Sequence, residues 1–272
     1  MMNEAEAIKR NNIKRLGKGE HTLVLAHGFG CSQSMWRFLI PYLSDRYQIL
    51  LFDYVGSGAS DFTFFSKARY SDLEGYADDI VEFCEALSLK DVSFIGHSVS
   101  GIIGLLAAQK IPDRISNMVM VCPSPCFLNF PPNYFGGFEL SDLEELVNLM
   151  DKNYIGWANH LSPLVMGQDA DPALVNELTH SFCSTDPVMA KVFAKATFFS
   201  DYRDRLSENT HPTLLLQSQN DSLASVSIGE YMRLAMPQSE LRVIDAKGHC
   251  LHMTHPEEVS KEIDSFLAKR VS

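Results

Sequence analysis

The 272-residue sequence predicts an α/β fold, a mostly parallel sheet flanked by helices and carrying an inserted helical cap. Three observations predict it. Short apolar or β-branched runs alternate with helical patterns over most of the chain. The alternation stops between about residues 124 and 201, where helical patterns follow one another without strands. It then resumes at once, so the helical stretch reads as an insertion and not as an independent domain.

The predicted strands are 22–26, 48–52, 92–95, 118–121, 213–217 and 241–244. Between them lie helical stretches at 73–87, 101–109, 226–235 and 257–268. In the first, Leu73, Tyr76, Ala77, Ile80, Val81, Cys84 and Leu87 recur at the three-to-four spacing of one buried helix face. Strand alternating with helix implies a parallel sheet covered on both faces. Pro123, Pro125, Pro131, Pro132 and Gly136-Gly137 then make a loop by composition. A helix over 140–150 follows, with Leu140, Leu143, Leu146, Val147 and Met150 on one face, and a second lies near 154–166. Two more begin at Asp171-Pro172 and Asp186-Pro187, where an Asp cap precedes proline in the first turn. Residues 1–123 and 201–272 are therefore expected to form the core, and 124–200 the cap.

Composition narrows the function. Hydrophobic residues at 46% and charged residues at 21% are ordinary for a globular chain. The net charge of −11 argues against nucleic acid or an anionic membrane as the main partner, since both need a basic surface. The start, Met1-Met2-Asn3-Glu4-Ala5-Glu6, has acids where a signal peptide needs bases. No apolar run approaches the ~18 residues of a membrane span. Six cysteines without C-x-x-C pairs fit reduced thiols and a cytoplasmic location. Cys122 and Cys126, four apart around two prolines, do not by themselves make a metal site.

The sharpest chemical signal is Val92-Ser93-Phe94-Ile95-Gly96-His97-Ser98-Val99-Ser100-Gly101. An apolar strand runs into Gly-x-Ser, and a helix rich in small residues follows, the context of a nucleophile elbow. The tight turn demands small neighbours and lifts the Ser98 hydroxyl towards the helix N-terminus. Ser100 stands where the common pattern has glycine, but serine is still small. The simpler alternative is an ordinary turn with a serine cap. A nucleophilic serine needs a base, and the base needs an acid to hold its tautomer. His249, on a glycine-preceded loop after a predicted strand, is the best-placed base. Asp221 is the only carboxylate between strand 213–217 and the next helix. The order Ser98, Asp221, His249 is the order this hydrolase architecture uses. Oxyanion donors are assigned to the N–H groups of Val99 and Phe29, the latter in the loop after the first predicted strand.

His249, His252 and His255 have a metal-like spacing, but Pro256 starts the next helix and separates their faces, so no metal is expected. His27 is expected to fix its own loop by a hydrogen bond, and His97 to pack beside the serine. Asp53-Tyr54-Val55-Gly56-Ser57-Gly58-Ala59-Ser60 is half of a dinucleotide fingerprint without its third glycine, and no Gly-Lys-Ser/Thr phosphate loop occurs. No cofactor is therefore expected, and Asp53 is assigned to ordering its turn.

With these residues placed, the chain resembles the α/β-hydrolase superfamily over nearly its whole length. His27-Gly28-Phe29-Gly30, Phe52-Asp53-Tyr54-Val55-Gly56-Ser57-Gly58 and Gly96-His97-Ser98-Val99 are similar to one branch, the RsbQ-like regulators of bacilli. Pro123-Ser124-Pro125-Cys126-Phe127-Leu128-Asn129, Asn153-Tyr154-Ile155-Gly156-Trp157 and Phe182-Cys183-Ser184-Thr185-Asp186-Pro187 belong to the same resemblance. The branch includes the plant strigolactone and karrikin receptors, where Gly-His-Ser-Val-Ser is a familiar elbow. The resemblance implies a Ser-His-Asp hydrolase built as a signalling component. It implies a small hydrophobic ligand, and as partner a PAS-domain serine phosphatase upstream of the sigma-B energy-stress response.

Three functions then compete: a ligand sensor with specialised hydrolysis, a metabolic carboxylesterase, and a binding module with a vestigial triad. The presence of Ser98, Asp221 and His249 counts against the third, and serine at 98 excludes a dehalogenase, which needs a carboxylate there. Phe29, Phe127, Phe135, Phe138, Trp157, Phe193 and Phe198 are expected to line an apolar pocket over Ser98, suited to a compact neutral ester or lactone. Glu139, Asp142, Glu144, Glu145 and Asp151 on the first cap helix read as a solvated acidic face, or more sharply as a surface for a basic partner.

Overall fold

In the computed structural model, which describes residues 2–270 apart from residue 168, a seven-stranded sheet organises the chain. The strands are β1 (Lys14–Gly17), β2 (Thr22–Ala26), β3 (Gln48–Leu51), β4 (Val92–His97), β5 (Ile115–Val121), β6 (Asn129–Phe130), β7 (Tyr134–Phe135), β8 (Thr213–Asn220) and β9 (Ser239–Lys247). The helices are α1 (Glu4–Arg10), α2 (Ile40–Leu43), α3 (Leu73–Ala86), α4 (Val99–Lys110), α5 (Leu140–Lys152) and α6 (Tyr154–Met166). They continue with α7 (Pro172–Ser184), α8 (Pro187–Phe198), α9 (Val226–Ala235), α10 (Leu251–Thr254) and α11 (Pro256–Leu267). Across the sheet the order is β1-β3-β2-β4-β5-β8-β9, while β6 and β7 form a separate ribbon. Only the edge pair β1–β3 is antiparallel; the other neighbours in the sheet run parallel.

Strand side chains alternate between faces, and here both faces are apolar. Leu23 and Leu25 pack with Trp36, Leu39, Ile263 and Phe266. Val24 and Ala26 pack with Tyr76, Ile80, Ile102 and Met232. This is why the strands read as unbroken apolar runs: in a parallel sheet helices cover each side. Helix α4 is buried on nearly all sides, so its sequence carries no polar stripe.

The cap helices α5 to α8 leave the chain after β5 and return to β8, which is its neighbour in the sheet. The insertion therefore adds helices over the strand ends without disturbing sheet order. Asp171 and Asp186 cap α7 and α8 by accepting backbone N–H bonds, each with proline next in the chain. Two features depart from expectation. The segment opening the cap holds the β6–β7 ribbon, steadied by Arg203 over the rings of Phe130 and Tyr134 at 4.2 and 4.7 Å. Strand β1, Lys14-Arg15-Leu16-Gly17, has no apolar alternation and exists because β3 offers it a free edge. Among the described residues no helix is long and apolar enough to cross a membrane.

Candidate active site

The site begins at the junction of β4 and α4. Ser98 sits between them with φ 57° and ψ −125°, a left-handed conformation costly for a residue with a side chain. Hydrogen bonds hold it there: the Ser98 N–H donates to the Val121 carbonyl at 2.8 Å, and the Gly101 N–H to the Ser98 carbonyl at 3.0 Å. The turn is so tight that a Cβ at position 96 would stand 2.4 Å from the Ser100 carbonyl oxygen, which requires glycine. The strained turn presents the Ser98 hydroxyl beyond the sheet edge.

Ser100 uses its hydroxyl. It donates to the His27 carbonyl, and because it has one hydrogen, it must accept from the Tyr54 hydroxyl at 2.9 Å. Burial holds the Tyr54 phenol protonated. His27 donates from Nδ1 to the Gly28 carbonyl at 2.8 Å and accepts the Tyr54 N–H at Nε2, 3.2 Å away. Both groups fix the loop that carries Phe29. Asp53 orders its own turn, accepting from Gln33 N–H at 2.8 Å and Ala59 N–H at 3.0 Å.

The loops after β8 and β9 bring the other two groups. His249 Nε2 lies 2.8 Å from Ser98 Oγ, and His249 Nδ1 lies 2.7 Å from Asp221 Oδ2. An ionised Asp221 can only accept, so it fixes hydrogen on Nδ1 and leaves the Nε2 lone pair facing the Ser98 O–H. Burial opposes the Asp221 charge. The imidazole beside it and the N–H groups of Leu223 and Ala224 outweigh that cost and hold the carboxyl below its ordinary range. The cap also grips this loop: the His249 N–H donates to the Val165 carbonyl of α6 at 2.7 Å. Gly248, at φ +90°, permits the approach, since a Cβ there would lie 2.1 Å from the Met166 carbonyl.

The Val99 N–H is the first of α4 and has no intrahelical acceptor. The Phe29 N–H donates to no carbonyl among the described loop contacts. Neither N–H is therefore taken by a backbone acceptor among the described residues, and Phe29 lines the same cavity as Ser98.

The three-histidine spacing does not gather its rings. His252 packs with its ring tilted against those of Trp36 and His97, at 4.6 and 4.3 Å, whereas His255 bonds Thr254. Among the described residues, the one trio of donor groups close enough for an ion is Cys122, Asp221 and His249. Two of those already bond each other, and burial keeps the Cys122 thiol protonated, so the trio is ill suited to a metal. His97 donates Nε2–H to the His249 carbonyl at 2.9 Å, and burial depresses its basicity to a pKa of about 3. It is a neutral packing group.

Ser98 and His249 open into a narrow cavity, with about 30 Å³ of free space, walled by Phe29, Phe127, Leu161, Leu178, Phe182 and Phe198. Four expected wall residues lie elsewhere. Phe135 is 57% exposed at the end of the ribbon. Phe138 packs behind Phe127, their rings 6.4 Å apart. Trp157 and Phe193 form a layer behind Phe29, at 6.0 and 5.7 Å, and Phe193 stacks on Tyr76. The sequence reading missed Phe182, Leu161, Val165 and Leu178. Their signal was the four-residue spacing of Leu161 with Val165 and of Leu178 with Phe182, which sets both pairs on inward helix faces. Among the described residues, no Lys, Arg, Asp or Glu side chain lines this cavity.

Comparison with known proteins agrees with this architecture. Residues 21–256 match the family model for the α/β hydrolase fold. The chain is 39% identical over 222 residues to karrikin insensitive 2 receptor B of Petunia hybrida, covering 82% of this chain and 81% of that one. It is 31% identical to the strigolactone esterase RMS3 of Pisum sativum, over 95% and 97% of the two chains. A solved hydrolase from Oleispira antarctica superposes with a TM-score of 0.98 at 55% identity, over 99% of this chain and 98% of that one. A chain with this sheet order and elbow, matched over most of its length, belongs to the α/β-hydrolase family, with strong similarity to a karrikin insensitive 2 receptor and a strigolactone esterase.

Proposed function

We propose that this protein hydrolyses compact, neutral, apolar esters or lactones, with Ser98 as nucleophile, His249 as base and Asp221 as its orienting acid. The observation that carries the reading is the unbroken hydrogen-bonded chain from Asp221 through His249 to Ser98 at the wall of an uncharged cavity. In this scheme Ser98 Oγ attacks the carbonyl carbon while its proton passes to His249 Nε2. The carbonyl oxygen becomes an oxyanion facing the N–H groups of Phe29 and Val99. The tetrahedral species collapses, and the departing alkoxide takes the proton from His249. Water, deprotonated by the same imidazole, then releases the acid and restores Ser98.

The esterase and receptor names among the relatives support a site that both turns over and senses its ligand. A regulatory role in the sigma-B energy-stress response, through a PAS-domain serine phosphatase, is part of this proposal and rests on the motif resemblance. The alternative is a metabolic carboxylesterase with no partner. Treatment with a fluorophosphonate followed by peptide mapping tests the chemistry. A single label is expected on Ser98, with ester hydrolysis falling by several orders of magnitude in Ser98→Ala. A label elsewhere, or hydrolysis surviving that change, removes the assignment.

A further inference from the structure

Among the described residues, Thr197 contributes the one aliphatic hydroxyl that the cap gives to the cavity. It lies one residue before the end of α8, next to Phe198, which packs against Phe29 and Phe127. The residue is 2% exposed, and its Oγ1 has no hydrogen-bond partner among the described residues.

Threonine and serine in helices ordinarily satisfy the hydroxyl on the carbonyl four residues back. This chain does so elsewhere in the cap. Thr179 donates to the Val175 carbonyl at 2.9 Å, and Ser162 to the Ala158 carbonyl at 2.8 Å. Thr197 does not make the equivalent bond to Phe193. A buried hydroxyl left without a partner is destabilising, and no group among the described residues takes its hydrogen. The side chain is therefore placed where an entering molecule, and not the helix, can take its hydrogen.

We propose that the Thr197 hydroxyl is the second polar anchor of this cavity. It donates to an ether or carbonyl oxygen carried on the part of the ligand that faces the cap, while the reacting carbonyl faces Ser98. The substrate class narrows accordingly, from any compact apolar ester or lactone to those with a second oxygen. The inference rests on the cavity being the site of the proposed hydrolase. Discrimination follows from desolvation: a ligand with carbon at that point leaves the Thr197 hydroxyl buried and unpaired, which a hydrogen-bonding site penalises strongly.

The test uses two lactones of equal size, one with a methoxyethyl side chain and the other with a butyl side chain. Their dissociation constants are measured by calorimetry on Ser98→Ala, so that turnover is not needed. Thr197→Val removes the hydroxyl at constant shape, and Thr197→Ser keeps it. The methoxyethyl lactone is expected to bind about tenfold more tightly than the butyl lactone when residue 197 is Thr or Ser. With Val that ratio falls to one or below. An unchanged ratio in Thr197→Val, or no preference with Thr197 in place, overturns the proposal, since the hydroxyl would then be satisfied by water or by the Phe193 carbonyl. The fluorophosphonate label on Ser98 is read separately, so failure of the hydrolase chemistry and failure of the anchor give different results.

Discussion

Replacing Ser100 with alanine isolates what the elbow gains by carrying serine in place of the more common glycine. Two buried groups lose their partner at once, because Tyr54 and His27 are both 0% exposed. The Tyr54 hydroxyl loses its acceptor and the His27 carbonyl loses its donor. An orphaned buried polar group costs roughly 1–3 kcal/mol, and relaxation recovers part of two such losses, so a destabilisation of about 2–4 kcal/mol is expected. For a chain of this size that lowers Tm by about 5–15 °C in differential scanning calorimetry. The activity effect has a different origin. The His27 carbonyl is two residues before the Phe29 N–H, the assigned oxyanion donor. Removing such a donor outright costs about 10²–10³ in kcat, so loosening its loop is expected to cost about tenfold, with KM little changed. Tyr54→Phe provides the control: it leaves the Ser100–His27 bond in place and is expected to lower Tm by less, with kcat nearly intact. Wild-type Tm and kcat in Ser100→Ala would falsify the reasoning. An equal kcat loss in Tyr54→Phe would move the effect from the Phe29 loop to the packing of α4.

Acid should weaken the fold through the histidines behind the site. Burial holds His97 to a pKa of about 3, and His252, packed between the tilted rings of His97 and Trp36 with both ring nitrogens unpaired among the described residues, is also pushed well down. The unfolded chain binds protons at these residues near pH 6.5, whereas the folded chain does not until far lower pH. Stability is thus full above about pH 7 and falls as pH drops towards 3, by about 2 kcal/mol between pH 7 and 5 for His97 alone, with His252 adding in the same direction. Urea midpoints at the two pH values check this, and His252→Phe should reduce the loss; equal midpoints for the wild type at pH 7 and 5 would refute it. On the cap, Glu144 and Glu145 are exposed and enter no salt bridge among the described residues, unlike Asp151, which pairs with Lys191. If this face meets a basic partner surface, reversing both charges slows association most at low salt and spares ester hydrolysis. Full partner activation by the double mutant in a pull-down or stress-reporter assay excludes the face.

The parallel core was legible because its strands are buried on both sides, so apolar runs at 22–26, 118–121 and 213–217 had no competing explanation. The helix starts at Asp171 and Asp186 were equally legible, since an Asp cap followed by proline is a local signal. Strand β1 was not. Lys14 and Arg15 are exposed, and only the edge of β3, distant in sequence, makes the segment a strand. The three groups at Ser98, Asp221 and His249 were readable because each follows a strand of one sheet. Parallel strands deliver their following loops to a common edge, so chain position alone predicted proximity. What could not be read was the support: the Val165 carbonyl that holds the His249 N–H comes from the cap, and no pattern within either segment points to the other.

The pocket shows where that logic stops. Sequence identifies an aromatic-rich insertion but not the rotation of each helix about its axis, and in a helix one residue of shift turns a side chain by about 100°. Phe193 and Thr197 are one turn apart on α8, yet Phe193 points back to Tyr76 while Thr197 and Phe198 face the cavity. Aromatic residues drew the expectation because they are large. Size, however, favours the fully buried layer behind a cavity as much as its wall, and Trp157 at 0% exposed took the layer. The walls themselves are shared by Leu161, Val165 and Leu178, residues unremarkable by type. Their selection is a matter of phase: α6 and α7 each turn one apolar edge inward, and the edge that meets Phe29 becomes the wall. The cap therefore sets ligand shape through ordinary aliphatic positions, and chemistry through the few polar atoms it leaves unpaired among them.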